Sequence, residues 1–363
     1  MNPRNALNFS GGPGALPESV LEQVRQAIDE VPETGLSILG ISHRSDWFAG
    51  VVAELEDSVR QLLGLPPDFR VLFLQGGATQ QFTMVPMSLL PPGGFADYVH
   101  SGYWSGKSIA EGRCSGDVRV VWSGADAGFS RLPGPDELTC SPEAAYFHYV
   151  SNETVEGVQF HDVPGRDDVP RVCDMSSDFM SRPFDAGRFS LIYAHAQKNL
   201  GPAGVTVVLV RDALLERAPV GLPGFLDYRV QAAAHSIFNT PPVFAIYVVL
   251  LVMRWLRDEI GGVARMAEIN QRKASMLYRV IDGSDGFFRG KAASVDRSLM
   301  NVSFELATPE ADRRFLAEAA AAGFSGLAGH RSLGGVRASI YNALSEEAVA
   351  RLCGFMEDFR RRG

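Results

Sequence analysis

Lysine is scarce in this chain of 363 residues. Lysine and arginine together number 34, yet the only lysines are Lys107, Lys198, Lys273 and Lys291. Chemistry that needs a primary amine, such as Schiff-base formation with a carbonyl compound, therefore has few candidate residues. The other basic residues are arginines, whose planar guanidinium groups bind carboxylates and phosphates through paired hydrogen bonds.

Cysteine is also scarce. Cys114, Cys140, Cys173 and Cys353 are far apart in the sequence and form no CxxC pair. This spacing indicates neither a zinc site nor a dense disulfide framework. We therefore expect free thiols in a reducing cytoplasm and no bound metal.

Excess positive charge and long apolar runs are lacking as well. The 42 acidic residues outnumber the 34 basic ones and give a net charge of -8, which disfavours nucleic-acid binding through a global basic field. The longest apolar run, 243–253, is too short to cross a bilayer, and the first residues lack the apolar core of a signal peptide. We expect a cytoplasmic protein with neither membrane nor nucleic acid as a partner.

The chain has an ordinary globular composition, 46% hydrophobic and 21% charged, and is long enough for two domains. Short runs rich in Val and Ile, without strict polar alternation, are typical of strands buried on both faces of a parallel sheet. Such runs occupy 70–75, 97–100, 118–122, 144–150, 171–174, 190–194 and 205–211.

Helical spacing of apolar residues alternates with these strands. It predicts helices over 17–31, 51–63, from about 80, from about 243 towards 280, over 309–322 and over 346–360. Two more strands are predicted at 300–306 and 336–341. The prediction is an α/β protein with an N-terminal arm (1–15), a large domain with a mostly parallel sheet covered by helices (16–255), and a smaller α+β domain (256–363).

Lys198 is the strongest candidate for amine chemistry. It follows the predicted strand 190–194 and precedes a Gly-Pro loop, and α/β sheets place reactive groups at such strand ends. Burial there would disfavour the ammonium form and make the amine a better nucleophile. The alternative is an exposed loop lysine without a chemical role. Asp174 ends the strand before it, where a carboxylate either pairs with a protonated pyridine nitrogen or caps a helix.

Residues 76–79 (GGAT) follow the strand 70–75 and precede a predicted helix. Small residues let the backbone approach a phosphate there, the helix N-terminus offers free N–H groups, and Thr79 adds a hydroxyl. Neither a GxGxxG nor a GKS/T motif is present, so no dinucleotide fingerprint or P-loop is supported. Trp104, after the strand 97–100, either stacks on a planar ring or belongs to the core.

Two His-Arg pairs lie in polar or Gly-rich segments, His43-Arg44 and His330-Arg331, and Arg337 follows the second pair. If several of these groups converge, they suit a substrate that carries both a carboxylate and a phosphate. As isolated residues they would be solvated surface arginines.

Taken in order, these segments resemble the phosphoserine aminotransferase family, vitamin-B6 enzymes of fold type I and class V. The resemblance extends from Asn8 to the last helix. Its most specific parts are AQKNLGPAG (196–204) and GHR (329–331) with RASIYN (337–342). The other matching segments are 8–17, 42–44, 74–82, 102–104, 151–157 and 238–242.

The resemblance implies pyridoxal 5'-phosphate as the cofactor. Lys198 would hold it as a Schiff base and move the proton during transamination, Asp174 would pair with the pyridine nitrogen, and Trp104 would stack on the ring. Thr154 would bind the side of the phenolic oxygen. The phosphate would be held by Ala78, Thr79 and Gln197. Some relatives carry Gly-Arg in place of Ala78-Thr79, and that arginine would touch the cofactor phosphate. In this chain its positive charge is supplied from elsewhere or replaced by N–H and hydroxyl donors.

The resemblance also implies a homodimer with shared active sites, because Asn239 and Thr240 would reach the phosphate from the neighbouring subunit. The substrate's carboxylate and phosphate would be bound by Ser10, His43, Arg44, His330, Arg331 and Arg337, some of them across the interface.

The implied reaction transfers an amino group from L-glutamate to 3-phosphohydroxypyruvate, giving O-phospho-L-serine and 2-oxoglutarate in serine biosynthesis. A related phosphorylated keto acid of pyridoxine biosynthesis is a second candidate substrate. A cysteine desulfurase-like activity is disfavoured, since Cys353 lies on the apolar face of the last predicted helix. A non-catalytic binding protein with the same fold is disfavoured by the presence of Lys198 and Asp174.

Overall fold

The structure, a computed structural model, describes residues 3–219 and 221–363. Its strands are β1 (Phe69–Gln75), β2 (Phe95–His100), β3 (Asp117–Ser123), β4 (Phe147–Val150), β5 (Asn152–Glu153), β6 (Val158–Gln159), β7 (Arg171–Asp174), β8 (Leu191–His195), β9 (Val205–Arg211), β10 (Arg289–Gly290), β11 (Asn301–Glu305) and β12 (Val336–Ser339). Its helices are α1 (Pro3–Ala6), α2 (Glu18–Asp29), α3 (Asp46–Leu63), α4 (Ala78–Leu89), α5 (Tyr103–Gly112), α6 (Asp212–Leu215), α7 (Tyr228–Ala233), α8 (Val243–Arg254), α9 (Val263–Asp282), α10 (Pro309–Ala321) and α11 (Glu346–Arg361).

Seven strands form one sheet in the order β1-β9-β8-β7-β4-β2-β3. Strands β2, β3, β4, β7 and β8 pair in parallel, whereas β9 runs antiparallel to both of its neighbours. The reason lies in the connection between β8 and β9, residues 196–204, which is shorter than the roughly dozen residues that a parallel crossover needs. The predicted mostly parallel α/β fold is confirmed, and its one reversed strand follows the connection that carries Lys198.

Helices cover both faces of this sheet. In β1, Val71 and Phe73 pack into the core cluster that includes α3 and α8, whereas Leu72 and Leu74 pack into the cluster that includes α4. Because both faces are buried, the strand has no polar alternation. The same burial explains the continuous apolar runs in the sequence.

A second core lies around the three-stranded antiparallel sheet β10-β11-β12, with α9, α10 and α11 packed on it. Leu7 and Phe9, from the predicted N-terminal arm, are buried in this same core, and the Phe9 N–H donates to the Ser325 carbonyl at 2.8 Å. Much of the core is phenylalanine, including Phe288, Phe304, Phe315 and Phe359. The exact residue limits of the predicted domains stay a prediction.

The predicted long helix from 243 towards 280 is in fact two helices. After α8 comes a π-helical turn, Trp255–Ile260, and then Gly261 and Gly262 with φ of 90° and 96°. These left-handed conformations favour glycine and end the first helix before α9 begins. The predicted strand 144–150 is shorter, as β4, and the short hairpin β5-β6 was not predicted. Within the described ranges, no helix combines the length and apolar character needed to cross a membrane.

Lys273, on α9, is fully buried and has a structural role. Its ammonium group donates to the carbonyl oxygens of Ile340, Tyr341 and Leu344 at 3.0, 2.8 and 3.0 Å. Since these carbonyls belong to the segment between β12 and α11, the lysine joins that segment to α9.

We expect Lys273→Met to lower the free energy of unfolding by at least about 2 kcal/mol. The substitution leaves the Ile340 and Leu344 carbonyls without a donor within the described ranges, whereas the Tyr341 carbonyl still accepts from the Leu344 N–H at 3.0 Å. Each unsatisfied buried group costs about 1–3 kcal/mol. Urea denaturation followed by circular dichroism measures the effect. Lys107→Met, at an exposed position, is the matched control and should change stability by no more than about 0.5 kcal/mol. Equal stability of the two variants would contradict this role for Lys273.

Candidate active site

A cavity of about 170 Å³ lies where β7 and β8 end and α4 and α5 begin. Parallel strands bring their carboxyl ends to one edge of a sheet, which is where α/β proteins place ligands. Six residues predicted to bind the cofactor line this cavity: Ala78, Thr79, Trp104, Asp174, Gln197 and Lys198.

Lys198 is buried, and its side chain points at two other predicted residues. Its Nζ donates a hydrogen bond to Thr154 Oγ1 at 2.6 Å and lies 5.6 Å from the centre of the Trp104 ring. Burial lowers the pKa of the Lys198 amine to about 8, while the carboxylate of Asp174 opposes this shift. A much larger fraction of this amine than of a lysine in water is therefore unprotonated, and so nucleophilic, near neutral pH.

Asp174 is the last residue of β7 and pairs in register with Tyr193 of β8. Its Oδ1 accepts a hydrogen bond from the Ser176 N–H at 2.8 Å. Burial raises the pKa of its carboxyl, whereas this hydrogen bond and the charge of Lys198 lower it. The fold therefore brings a buried carboxyl group and a buried amine into one cavity from two adjacent strands.

Trp104 lies in the first turn of α5, and two buried carboxyl groups hold that turn in place. Glu153 accepts hydrogen bonds from the N–H groups of Trp104 and Ser105 at 3.0 and 2.9 Å, and Glu156 accepts one from the Tyr103 N–H at 2.9 Å. Acidic groups at a helix N-terminus satisfy its free donors and interact favourably with its dipole. Burial and the neighbouring Glu153 raise the pKa of Glu156 to about 8.

Gly102 makes this arrangement possible. A Cβ atom built on Gly102 would lie within 2.8 Å of both carboxyl groups, those of Glu153 and Glu156. Any larger residue would therefore displace the start of α5, and with it the Trp104 ring.

The cavity ends at the N-terminus of α4. Ala78 and Thr79 are the first two residues of this helix, so their N–H groups have no acceptor within it. The segment before α2 closes the site from another side, since the Gly14 N–H donates to the Gln197 carbonyl at 2.7 Å. A Cβ on Gly14 would lie 2.7 Å from the Lys198 carbonyl oxygen, so this close approach requires glycine.

Part of the predicted substrate set gathers at the rim of the cavity. Arg337, on β12, donates a hydrogen bond to the Thr154 carbonyl oxygen at 3.5 Å. Its guanidinium also packs on Gly11, the neighbour of Ser10, so closely that a Cβ on Gly11 would overlap it. Burial lowers the pKa of Arg337, whose Nε has no hydrogen-bond partner within the described ranges. His330 packs on the Tyr103 ring at 4.6 Å.

Arg331 follows His330 and is exposed. Burial lowers the pKa of His330, and the positive charges of Arg337 and Arg331 lower it further. Arg331 and Arg337 thus supply two positive charges close to His330.

The other predicted residues are not brought to this cavity within one chain. His43 and Arg44 precede α3, and Arg44 is exposed. Asn239 precedes α8 and donates to Gln75 Oε1 at 2.8 Å, and Thr240 next to it is exposed. Their predicted roles depend on a second subunit and stay predictions.

Sequence reasoning missed several residues of the site. His195 and Ser176 line the cavity, although neither was singled out for a role. Glu153 and Glu156 were part of a matching segment without an assigned contact. The sequence signal for His195 was a polar residue directly after an apolar strand. The signal for the glutamates was two acidic residues three positions apart.

The residues present fit pyridoxal phosphate. The cavity joins a buried amine, a buried carboxyl group and an indole, and the first N–H groups of α4 suit a phosphate. Lys198, Asp174, Trp104 and Thr154 would hold the ring, and the N-terminus of α4 would hold the phosphate.

Comparison with known proteins agrees with this chemistry. The family model for class-V aminotransferases matches residues 6–352. Phosphoserine aminotransferase of Laribacter hongkongensis is 50% identical over 355 residues, which cover 98% of each chain. The solved phosphoserine aminotransferase of Bacillus circulans subsp. alkalophilus is 45% identical, with a TM-score of 0.95 and 98% of each chain covered.

A further solved structure, concerned with radiation damage of the Schiff base in phosphoserine aminotransferase, is 41% identical, with a TM-score of 0.95 over 98% of this chain and 99% of that one. The chain belongs to the class-V aminotransferase family, within its phosphoserine aminotransferase group. It is thus a fold-type I transaminase that depends on pyridoxal phosphate, and the predicted family, fold class and cofactor are confirmed.

Gly102→Ala is expected to weaken pyridoxal phosphate binding by about tenfold. The added Cβ meets two buried carboxyl groups, and overpacking of this kind costs about 1–3 kcal/mol. Titration of the apoenzyme with the cofactor, followed by tryptophan fluorescence, measures the affinity. In Gly50→Ala, the control on α3, the Cβ enters open space and should stabilise the helix by about 0.5–1 kcal/mol without changing cofactor affinity. Unchanged affinity in Gly102→Ala would contradict the proposed steric constraint.

The rate at which the apoenzyme combines with pyridoxal phosphate should rise by about tenfold per pH unit up to about pH 8 and then level off. Only the unprotonated amine attacks the aldehyde, and burial lowers the pKa of Lys198 to about 8. Stopped-flow absorbance between about pH 6 and 10 measures this rate. Nα-acetyllysine serves as the control, because its rate should rise until about pH 10.4. Parallel profiles for the two amines would refute the lowered pKa.

Proposed function

We propose that this enzyme transfers the amino group of L-glutamate to 3-phosphohydroxypyruvate and forms O-phospho-L-serine and 2-oxoglutarate. The high identity to proteins named phosphoserine aminotransferase, over nearly the whole chain, supports this choice of substrates. The structural observation that carries the proposal is the buried Lys198 amine, which shares one cavity with Asp174 and Trp104.

When bound, pyridoxal phosphate supplies an aldehyde for an amine and a ring that withdraws electrons from the amino acid's α carbon. Lys198 is the residue that would bind this aldehyde. When the amino group of the substrate takes its place, the freed Lys198 amine would be the base that takes the proton from the α carbon and the acid that returns it. Thr154, at 2.6 Å from Nζ, holds the amine in position.

Asp174 would pair with the ring nitrogen and favour its protonated form, because this carboxyl group is buried beside the cavity. Trp104 would cover one face of the cofactor ring. Glu153 and Glu156 hold the turn that carries this indole, so they position the indole.

The substrate's carboxylate and phosphate are bound beside the cavity. Ser10 and His330 supply hydrogen-bonding groups, and His330 lies close enough to both arginines for their charges, besides burial, to lower its pKa. Arg337 and Arg331 bind the two anionic groups, because guanidinium forks match both carboxylate and phosphate. They give the site a local positive charge although the chain as a whole carries a net charge of -8. A phosphorylated keto acid of pyridoxine biosynthesis, with the same pair of groups, is a second candidate substrate.

Our proposal includes a homodimer in the cytoplasm. In one chain, His43, Arg44, Asn239 and Thr240 lie away from the Lys198 cavity. We propose that they complete the corresponding cavity of the partner subunit, with Asn239 and Thr240 at the cofactor phosphate.

The experiment that tests the function has two steps. Purified protein loaded with pyridoxal phosphate should show a visible absorption band, and borohydride should fix the cofactor covalently to Lys198. The loaded enzyme should then aminate 3-phosphohydroxypyruvate much faster than hydroxypyruvate. A protein that takes up no cofactor would disprove the enzymatic role, and equal turnover of the two acids would disprove the preference for a phosphorylated substrate.

Arg331→Ala should raise the KM for the phosphorylated keto acid by about tenfold to a hundredfold, with a much smaller effect on glutamate. A hydrogen bond to a charged group contributes about 1.5–3 kcal/mol, and only the keto acid carries a phosphate. Steady-state kinetics with each substrate varied in turn measures both constants. Arg351→Ala, at an exposed position on α11, is the control. An equal effect on both substrates would instead assign Arg331 to a carboxylate that they share.

A further inference from the structure

His195 lies in the wall of the Lys198 cavity, yet the function described above does not use it. It is the last residue of β8, and it lines the cavity together with Gly77, Ala78, Thr79 and Gln197. Its backbone N–H donates to Ser176 Oγ at 3.1 Å. The ring is therefore attached to a rigid strand end, between the lysine and the N-terminus of α4.

Hydrogen bonding determines which ring nitrogen is a donor. Nε2 accepts a hydrogen bond from the Gly204 N–H at 3.4 Å, so in the neutral ring the proton is on Nδ1. Burial and the charge of Lys198 lower the pKa of His195 to about 4, which keeps the ring neutral before any anion binds. Nδ1–H has no hydrogen-bond acceptor within residues 3–219 and 221–363.

The donor edge of the ring lies against the turn that begins α4. A Cβ built on Gly77 would lie 3.1 Å from Cε1 and 3.2 Å from Nδ1, so glycine allows the backbone and the imidazole to meet. The N–H groups of Ala78 and Thr79 follow directly, without acceptors in their helix. Three donors, two from the backbone and one from a side chain, thus line one end of the cavity.

We propose that His195 is a further ligand of the cofactor phosphate, donating Nδ1–H to a phosphate oxygen beside the N-terminus of α4. A dianionic phosphate suits this place, because the helix N-terminus favours negative charge and a neutral imidazole adds a donor without competing for a counter-ion. This inference rests on the proposed function, since it assumes that pyridoxal phosphate occupies the cavity. A purely structural histidine would only fill the space beneath Gly77.

The two roles differ in how they depend on the phosphate. Pyridoxal has the same aldehyde and ring as pyridoxal phosphate but lacks the phosphate. If His195 binds the phosphate, its loss weakens binding of pyridoxal phosphate and leaves binding of pyridoxal almost unchanged. If the ring only packs the site, its loss weakens the binding of both compounds to the same extent.

The experiment measures the Kd of each compound for the apoenzyme from the visible absorption band. His195→Phe keeps a ring beneath Gly77 but removes both nitrogens, and His195→Asn places an amide N–H near the position of Nδ1. His161→Phe is the control, because the His161 imidazole is likewise hydrogen-bonded to the backbone, to the Arg297 carbonyl at 3.1 Å, but lines a different cavity. We expect His195→Phe to raise the Kd of pyridoxal phosphate by about tenfold and that of pyridoxal by less than about twofold. His195→Asn should restore most of the affinity.

A second measurement on the unaltered protein covers the case in which His195→Phe does not fold. Addition of inorganic phosphate to apoenzyme labelled with ¹⁵N-histidine should shift the Nδ1 resonance of His195, identified by its absence in His195→Asn. Equal losses for both compounds, or no shift with phosphate, would overturn the proposal. If the His195 proposal fails but the unaltered protein shows the visible band and borohydride fixes the cofactor to Lys198, the proposed function stands. Absence of any band would instead overturn both.

Discussion

Burial of the Lys198 amine at the end of β8 is the constraint on which the rest of the site depends. In water, a lysine is almost fully protonated near neutral pH and a poor nucleophile. Here the surrounding strands and helix starts lower its pKa to about 8. Thr154 Oγ1 accepts a hydrogen bond from Nζ, and the opposing charge of Asp174 keeps the shift moderate. The amine is thus available for chemistry and still able to carry a proton.

Close backbone approach at a few glycines makes this burial possible. Gly14 lets the N-terminal segment lie on the Lys198 carbonyl, Gly77 meets the His195 ring, and Gly102 lets two carboxyl groups reach the start of α5. Each of these contacts joins segments that are distant in the sequence. The N-terminal segment is especially informative, because Phe9 belongs to the C-terminal core while Gly14 closes the cofactor cavity.

Most elements of the fold could be predicted from local patterns, and the exceptions have physical causes. Strands buried on both faces read as continuous apolar runs, which is why the seven-stranded sheet was predictable. The break between α8 and α9 depends on a π-helical turn that leaves the helical spacing of apolar residues nearly intact. The hairpin β5-β6 is too short to show any period. Lys273 could not be distinguished from an exposed lysine, since its three carbonyl partners follow it by more than 60 positions.

The sequence by itself determined the chemical groups and their local setting: a rare lysine on a short loop after a strand, an acid at the end of another strand, and a match to aminotransferase segments. The tertiary structure decided which of these groups meet. It placed Arg337 and His330 at the rim and left His43 and Asn239 away from the cavity. It also revealed Glu153, Glu156 and His195. The physical reason is that desolvation and hydrogen bonding, which set pKa and orientation, arise from neighbours in space, and these come from strands and helices far apart along the chain.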